Sequence, residues 1–228
     1  MDTILLIMIL VLSIFIVIST IAFHIFLFKK SKEGLYIPPK EKKPKGKVER
    51  GARGEELVEQ TLNDICDIKG GYTYKELKLE DKYGNWTEID NIYISPYGVF
   101  LIETKNVRGI ITGFSCDEKW RQTFPGGGTR TFSIPVLQNK RHIAFFQRMF
   151  PEVITASSLV VFVDPDKLDI PKMNEVVVLS DLEIYFCCLK RIYSDSKVEL
   201  INREVKKYVD NPPFTHEQYK KWIQERYK

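Results

Sequence analysis

The chain has 228 residues, 44% of them apolar and 28% charged, with 34 Lys and Arg against 30 Asp and Glu. That composition excludes an intrinsically disordered chain and leaves room for one ordinary domain plus appendages. The formal net charge of +4 is small, and it is unevenly placed.

Residues 3–28 are almost wholly apolar, interrupted only by Ser13, Ser19, Thr20 and His24. A spanning helix needs ~20 apolar residues, so residues 1–28 are expected to form a transmembrane anchor. A cleaved signal peptide is the competing reading. It wants a positive start and a small-residue cleavage site, whereas here Met1 and Asp2 precede the run and Phe26, Leu27 and Phe28 end it. Lys29, Lys30 and Lys32 follow at once, and positive flanks stay inside, so the rest of the chain is expected to face the cytoplasm. His24 is expected near the membrane interface. Residues 29–48 form a Pro- and Lys-rich linker that cannot bury apolar surface. Between Lys29 and Arg53 there are ten Lys or Arg and three Glu, a local +7 that leaves −3 for the remainder. Such a linker is attracted to anionic inner-leaflet lipids, at roughly 1 kcal/mol per basic residue.

Next comes a helix over residues 54–65, with Leu57, Val58, Thr61, Leu62 and Ile65 at helical spacing and Glu55-Glu56 in its first turn. Strands are predicted over 72–79 and 86–95, separated by a turn at 81–85. After the tight turn Pro96-Tyr97-Gly98, residues 99–104 read as a buried central strand, since Val99-Phe100-Leu101-Ile102 is continuously apolar. Short strands at 110–114 and 119–124 precede a Gly-rich loop at 125–128. Pro135 opens a helix to about Met149. Strands at 158–163 and 175–179 follow, then a helix over 182–192 capped by Asp181, and two more near 197–209 and 215–227. The order implies an α/β fold with one mixed sheet flanked by helices.

Residues 119–150 hold six Lys or Arg, no Asp or Glu, and the aromatics Trp120, Phe124, Phe132, Phe145, Phe146 and Phe150. Interleaved cations and rings suit a polyanion with stacking bases; the bland reading makes the rings core and the charges a solvated face. The four cysteines lack metal-binding spacing and read as buried thiols in a reducing compartment.

The chemistry concentrates around residues 90–105. Glu103 and Lys105, two apart on a strand, share a face, and Asp90 lies on the preceding strand. Carboxylates at the exit of a buried strand are costly unless paired or given a metal. Asp90 and Glu103, with the backbone carbonyl of Thr104, can supply oxygen ligands to Mg2+ or Mn2+, while Lys105 orients or deprotonates an attacking water. A buried ion pair of the carboxylates with Lys105 is the structural alternative.

The pattern Asp90…Glu103-Thr104-Lys105 resembles the D…(D/E)xK signature of restriction-endonuclease-like nucleases, the PD-(D/E)xK superfamily. The wider text narrows this further: Gly51-Ala52-Arg53-Gly54-Glu55, Glu88-Ile89-Asp90, Val99 through Asn106, Gly109, Trp120, and Pro135 with Gln138-Asn139 resemble the nuclease-related domain family, NERD. The resemblance covers about residues 49–150 and weakens through Leu182. It implies a restriction-endonuclease-like fold over 49–192, with a helical extension over 193–228. It further implies metal-dependent cleavage of DNA or RNA, with Glu55 as the first-helix acid, Asp90 and Glu103 as metal carboxylates, Lys105 as catalytic lysine and Gln138 as a helix glutamine near water or phosphate. Ile134 stands where the family often has Asn.

For Glu55 a helix-terminal charge is an equal reading, though Val58 and Leu62 on its face favour it over Glu56 as the inward acid. For Gln138 an ordinary exposed position is equal. His142 and His216 read as structural. The expected partners are nucleic acid and the membrane, and a homodimer is allowed because many enzymes of that fold pair up. The competing function is a catalytically inactive nucleic-acid-binding or membrane scaffold module.

Overall fold

The computed structural model describes residues 47–153 and 156–226. The expected anchor over 1–28 and nearly all of the basic linker lie outside the described residues. Among the described residues no helix is long and apolar enough to cross a membrane.

The elements in chain order are α1 (Lys47–Lys69), β1 (Tyr72–Glu80), β2 (Trp86–Ser95), β3 (Gly98–Lys105), β4 (Ile110–Thr112), β5 (Lys119–Thr123), β6 (Thr129–Ser133), α2 (Pro135–Met149), β7 (Ala156–Phe162), β8 (Lys167–Asp169), β9 (Val176–Val178), α3 (Leu182–Cys187), α4 (Asp195–Asp210) and α5 (His216–Arg226). The expected single sheet is in fact two. The larger has the order β1-β2-β3-β7-β9 and the smaller β6-β5-β4-β8. In the larger, β1, β2 and β3 are antiparallel neighbours, and β3, β7 and β9 run parallel.

Helices cover both faces of the larger sheet. On one, Val58, Leu62 and Ile65 of α1 and Leu182 and Phe186 of α3 pack against Tyr93, Phe100, Ile102, Leu159 and Val161. On the other, Phe145 and Phe146 of α2, Phe150 at its C-cap, and Val198, Ile201 and Val205 of α4 pack against Leu77, Leu79, Ile89, Ile92, Val99 and Leu101. A strand covered on both faces must be apolar throughout, which is why β3 reads as a continuous hydrophobic run. The smaller sheet closes a third cluster, with Trp120 stacked over Phe162 at 6.3 Å.

Several local expectations change. Helix α1 runs from Lys47 to Lys69, longer at both ends than its apolar periodicity indicates, and stops where Gly70 takes φ +77° and its N–H donates to the Cys66 carbonyl. Helix α3 ends at Cys187 instead of Ile192, because the N–H groups of Ile192 and Tyr193 donate to the Pro96 carbonyl at 2.8 and 2.9 Å. Asp181 gives that helix no side-chain cap. The thiols are not buried: Cys116, Cys187 and Cys188 are exposed, and Cys66 is half-buried with its Sγ donating to the Gly71 carbonyl.

Asn139 ties α2 to the sheet. It is wholly buried, and its Nδ2 donates to the Leu101 carbonyl at 2.7 Å, Ser158 Oγ at 3.0 Å and the Leu159 carbonyl at 3.2 Å. One side chain thus bridges β3 and β7 beneath the helix. Asn139→Ala removes these bonds without replacing them, and we expect a loss of about 2–3 kcal/mol in denaturant unfolding. A loss under ~0.5 kcal/mol would mean that the bridge contributes little.

Candidate active site

Strands β2 and β3 pair from Ser95 opposite Gly98 to Asn91 opposite Ile102, and the pairing stops there although both strands continue. On the other side of β2 the ladder skips Glu76 and Asp90, and Glu76 has a left-handed φ of 49°. Ile89 and Ile92, three residues apart, both face the same core cluster. Regular alternation would put them on opposite faces, so it slips by one residue beside Asp90. The sheet is therefore distorted on both sides of Asp90. A non-glycine residue with positive φ is costly and collects where function requires it.

In the gap between the parting strands, the Thr104 N–H donates to Asp90 Oδ2 at 2.9 Å. An extended residue aims its N–H and C=O the same way, so the Thr104 carbonyl also points into this gap. Glu103 is 2% exposed. Its Oε1 is ion-paired with Lys105 Nζ, and Lys105 Nζ also donates to Gln138 Oε1 at 3.3 Å. The geometry thus brings together Asp90, Glu103, Lys105 and Gln138. Gln138 is partly buried against Lys105, not an exposed helix position.

Glu55 enters from α1. A Cβ added at Gly54 would stand 2.5 Å from Asn106 Cβ, and Asn106 Nδ2 donates to the Arg50 carbonyl at 2.7 Å. Only glycine lets the helix lie this close to the segment leaving Lys105. Glu55 is half-buried and Glu56 exposed, as the helical face indicates. Burial pushes the Glu55 carboxyl up, with further contributions from Asp90, Glu76 and Glu88. It shares the acidic field of the other carboxylates.

His142 borders the site. It lies one helical turn beyond Gln138, and its Nε2 stands 3.7 Å from Glu103 Oε2, the oxygen that Lys105 leaves free. Its Nδ1 is 2.7 Å from Thr87 Oγ1. Burial, reinforced by Lys105 and Arg141, pushes this imidazole down to about 4, so it is neutral at pH 7. The spacing of four from Gln138 was the available signal, because residues four apart share a helix face. His216 is also partnered, with Nδ1 2.8 Å from Glu88 Oε1, while Phe214 and Trp222 stack on Trp86 at 4.5 and 5.8 Å.

The electrostatics indicate uncompensated negative charge. Burial, then the charge of Glu103, pushes Asp90 up to about 7. Burial likewise raises Glu103, against the pull of Lys105. Asp90 has no cationic contact among the described residues, so the one amine of the site serves Glu103. Among the described residues no group of three His, Cys, Asp or Glu could by itself hold an ion. A metal here would rest on two carboxylates and a carbonyl and keep several waters. That is the habit of Mg2+, and the donor set fits it.

Ile134 occupies the N-cap of α2 and offers no side-chain cap; it is buried among Trp120, Val136 and Val160 instead. The departure from Asn exchanges a cap for core packing and leaves Gln138 in place, its N–H donating to the Ile134 carbonyl.

Residues 50–163 match the family model of the nuclease-related domain. An uncharacterized protein of Bacillus anthracis is 31% identical over 162 residues, covering 68% of this chain and 72% of that relative. No solved structure gives a significant match.

Proposed function

The chain belongs to the nuclease-related domain family, and from that premise we propose that it is a divalent-metal-dependent nuclease, hydrolysing phosphodiester bonds of DNA or RNA at the inner face of a membrane. The observation that carries this reading is the meeting of Asp90, Glu103 and Lys105 where β2 and β3 part. The helix-covered mixed sheet supports a restriction-endonuclease-like fold.

In this reading Asp90, Glu103 and the Thr104 carbonyl hold Mg2+ or Mn2+. When bound, the ion offsets charge on the phosphoryl oxygens and lowers the pKa of water. The chain's own residues do the rest. Thr104 N–H holds the Asp90 carboxylate in place, and Glu103 and Gln138 fix Lys105 Nζ, the group that orients the attacking water. Glu55 adds negative charge that favours cation binding. His142 borders the second oxygen of Glu103 and limits its freedom to turn. Residues 1–28 tether the domain, and the basic linker favours its cytoplasmic orientation.

One observation favours a second reading. The Glu103–Lys105 ion pair gives the buried carboxylate a cationic partner without a metal, as it would in a catalytically silent binding module. The two are separated by incubating the full-length chain, in detergent, with labelled single- and double-stranded DNA and RNA plus Mg2+ or Mn2+. Cleavage of at least one substrate, halted by EDTA, is expected. Intact substrates under both metals would overturn the enzyme and leave the silent module.

A further inference from the structure

The segment between Lys105 and Gln138 is an excursion whose two ends meet at the site, since Lys105 Nζ and Gln138 Oε1 are 3.3 Å apart. It contains β4, β5 and β6. Gly109, with φ +87°, roots it: a Cβ there would lie 2.2 Å from the Thr123 carbonyl oxygen. Whatever the β5–β6 hairpin holds is therefore held by a structure rooted at the carboxylates.

The hairpin has two unlike faces. Pairing sets Lys119 opposite Ser133, Arg121 opposite Thr131 and Thr123 opposite Thr129. Residues directly opposite on antiparallel strands share a face. All six are exposed except Thr123, which is half-buried. This face carries two cations, four hydroxyls, no carboxylate and no apolar side chain. The other face carries Trp120 and Phe132, packed on the core, and Gln122, which is buried and accepts from the exposed Arg130 opposite it.

Charge pairing separates these two cations from several others on the surface. Lys75, Arg191, Lys206 and Lys207 each hold an acidic neighbour. Lys119 and Arg121 form no ion pair among the described residues. They meet an incoming anion without first giving up a carboxylate.

Four of the six rings of residues 119–150 are buried, and the half-buried Phe124 and Phe132 are engaged by Arg130 and Trp120. Trp120, Phe145, Phe146 and Phe150 are core residues, so the expectation of bases stacked on aromatics gives way to the bland reading. What remains exposed is a surface of hydroxyls and cations, the groups that contact phosphate and sugar without reading bases.

We propose that the outer face of the β5–β6 hairpin is a phosphate-tracking wing, which holds the nucleic-acid backbone without regard to sequence on its way to the carboxylate site. The proposal rests on the nuclease reading above. An anionic membrane surface shares the charge but also rewards apolar insertion, and the six-position face has nothing to insert.

The test is fluorescence anisotropy with labelled oligonucleotides, on the full-length chain in detergent and EDTA, so that cleavage does not intervene. The wing variant is Lys119→Glu/Arg121→Glu, with Lys119→Gln/Arg121→Gln as the milder pair. Lys206→Glu/Lys207→Glu on α4 is the charge-matched control. We expect the Glu wing pair to weaken binding tenfold or more and to flatten the salt dependence by about two phosphate contacts, each worth ~0.7–0.9 in the log–log slope. The control is expected to bind like wild type. Oligonucleotide binding by wild type, both wing pairs and the control alike would overturn the wing and leave the nuclease reading standing. Absence of binding by wild type to every DNA and RNA would overturn both. Loss of binding only to phosphatidylserine vesicles would assign the face to the membrane and overturn the proposal.

Discussion

Lys105→Ala is expected to reduce cleavage of any substrate that the wild type cuts by about 10²–10³-fold or more, the scale seen when one preorganised polar group is lost from an active site. The amine is held from two sides, by Glu103 and Gln138, and among the described residues no other lysine or arginine is ion-paired with Glu103. Removal leaves Glu103 buried beside a neutral imidazole. The carboxyl then favours its protonated form still more strongly. The fold survives, because the core clusters do not include this pair, but the destabilisation grows with pH. It is smaller at pH 5 than at pH 8, where the lone buried charge must be maintained and the loss reaches up to about 3 kcal/mol. Circular dichroism and denaturant unfolding at the two pH values measure this beside the rate. Wild-type cleavage by the variant would remove Lys105 from the mechanism.

The pair Glu103 and Lys105 was legible in sequence because a strand repeats every two residues, and the apolar run before them marks that strand as central. The same logic recovers β2 at residues 86–95 and α2 at residues 135–149, each bounded by a proline turn or a proline start. Strand β6 was not legible. Thr129-Arg130-Thr131-Phe132-Ser133 is an edge strand whose outer side chains are all polar, so burial leaves almost no alternation to read. Strand β8 has three residues, too few for any period.

The slip beside Asp90 was hidden for a different reason. Glu76 is an ordinary residue with an unusual φ, and nothing in its type announces the distortion. His142 was visible as a helix neighbour of Gln138, but its closeness to Glu103 depends on how α2 crosses the sheet. That crossing is set by Asn139, a contact between segments far apart in the chain. Aromatic content misled because it is the same for a stacking platform and for a core. Only the fold decides which way Trp120 faces.

Asp90→Asn is expected to abolish Mg2+ and Mn2+ binding and, at the same time, to stabilise the metal-free protein above neutral pH. The sign follows from the carboxyl's position at about 7 in the fold, against 3.8 ordinarily. Between those values the folded state holds a proton that the unfolded state has released, so wild-type stability falls as pH rises through the window and levels off above it. The amide has no proton to lose, and its Oδ1 still accepts the Thr104 N–H. At pH 4 the two proteins should be nearly matched; at pH 8 the variant should lead by up to about 4 kcal/mol. Divalent ion should raise the wild-type melting temperature at pH 8, because a ligand bound only by the folded state stabilises it, and should leave the variant unmoved. Calorimetric titration of the two proteins with each metal is the direct measurement. Equal affinity in both would show that Asp90 is no ligand. A variant that loses the metal yet gains no stability would place the excess charge on buried Glu103 and half-buried Glu55 instead.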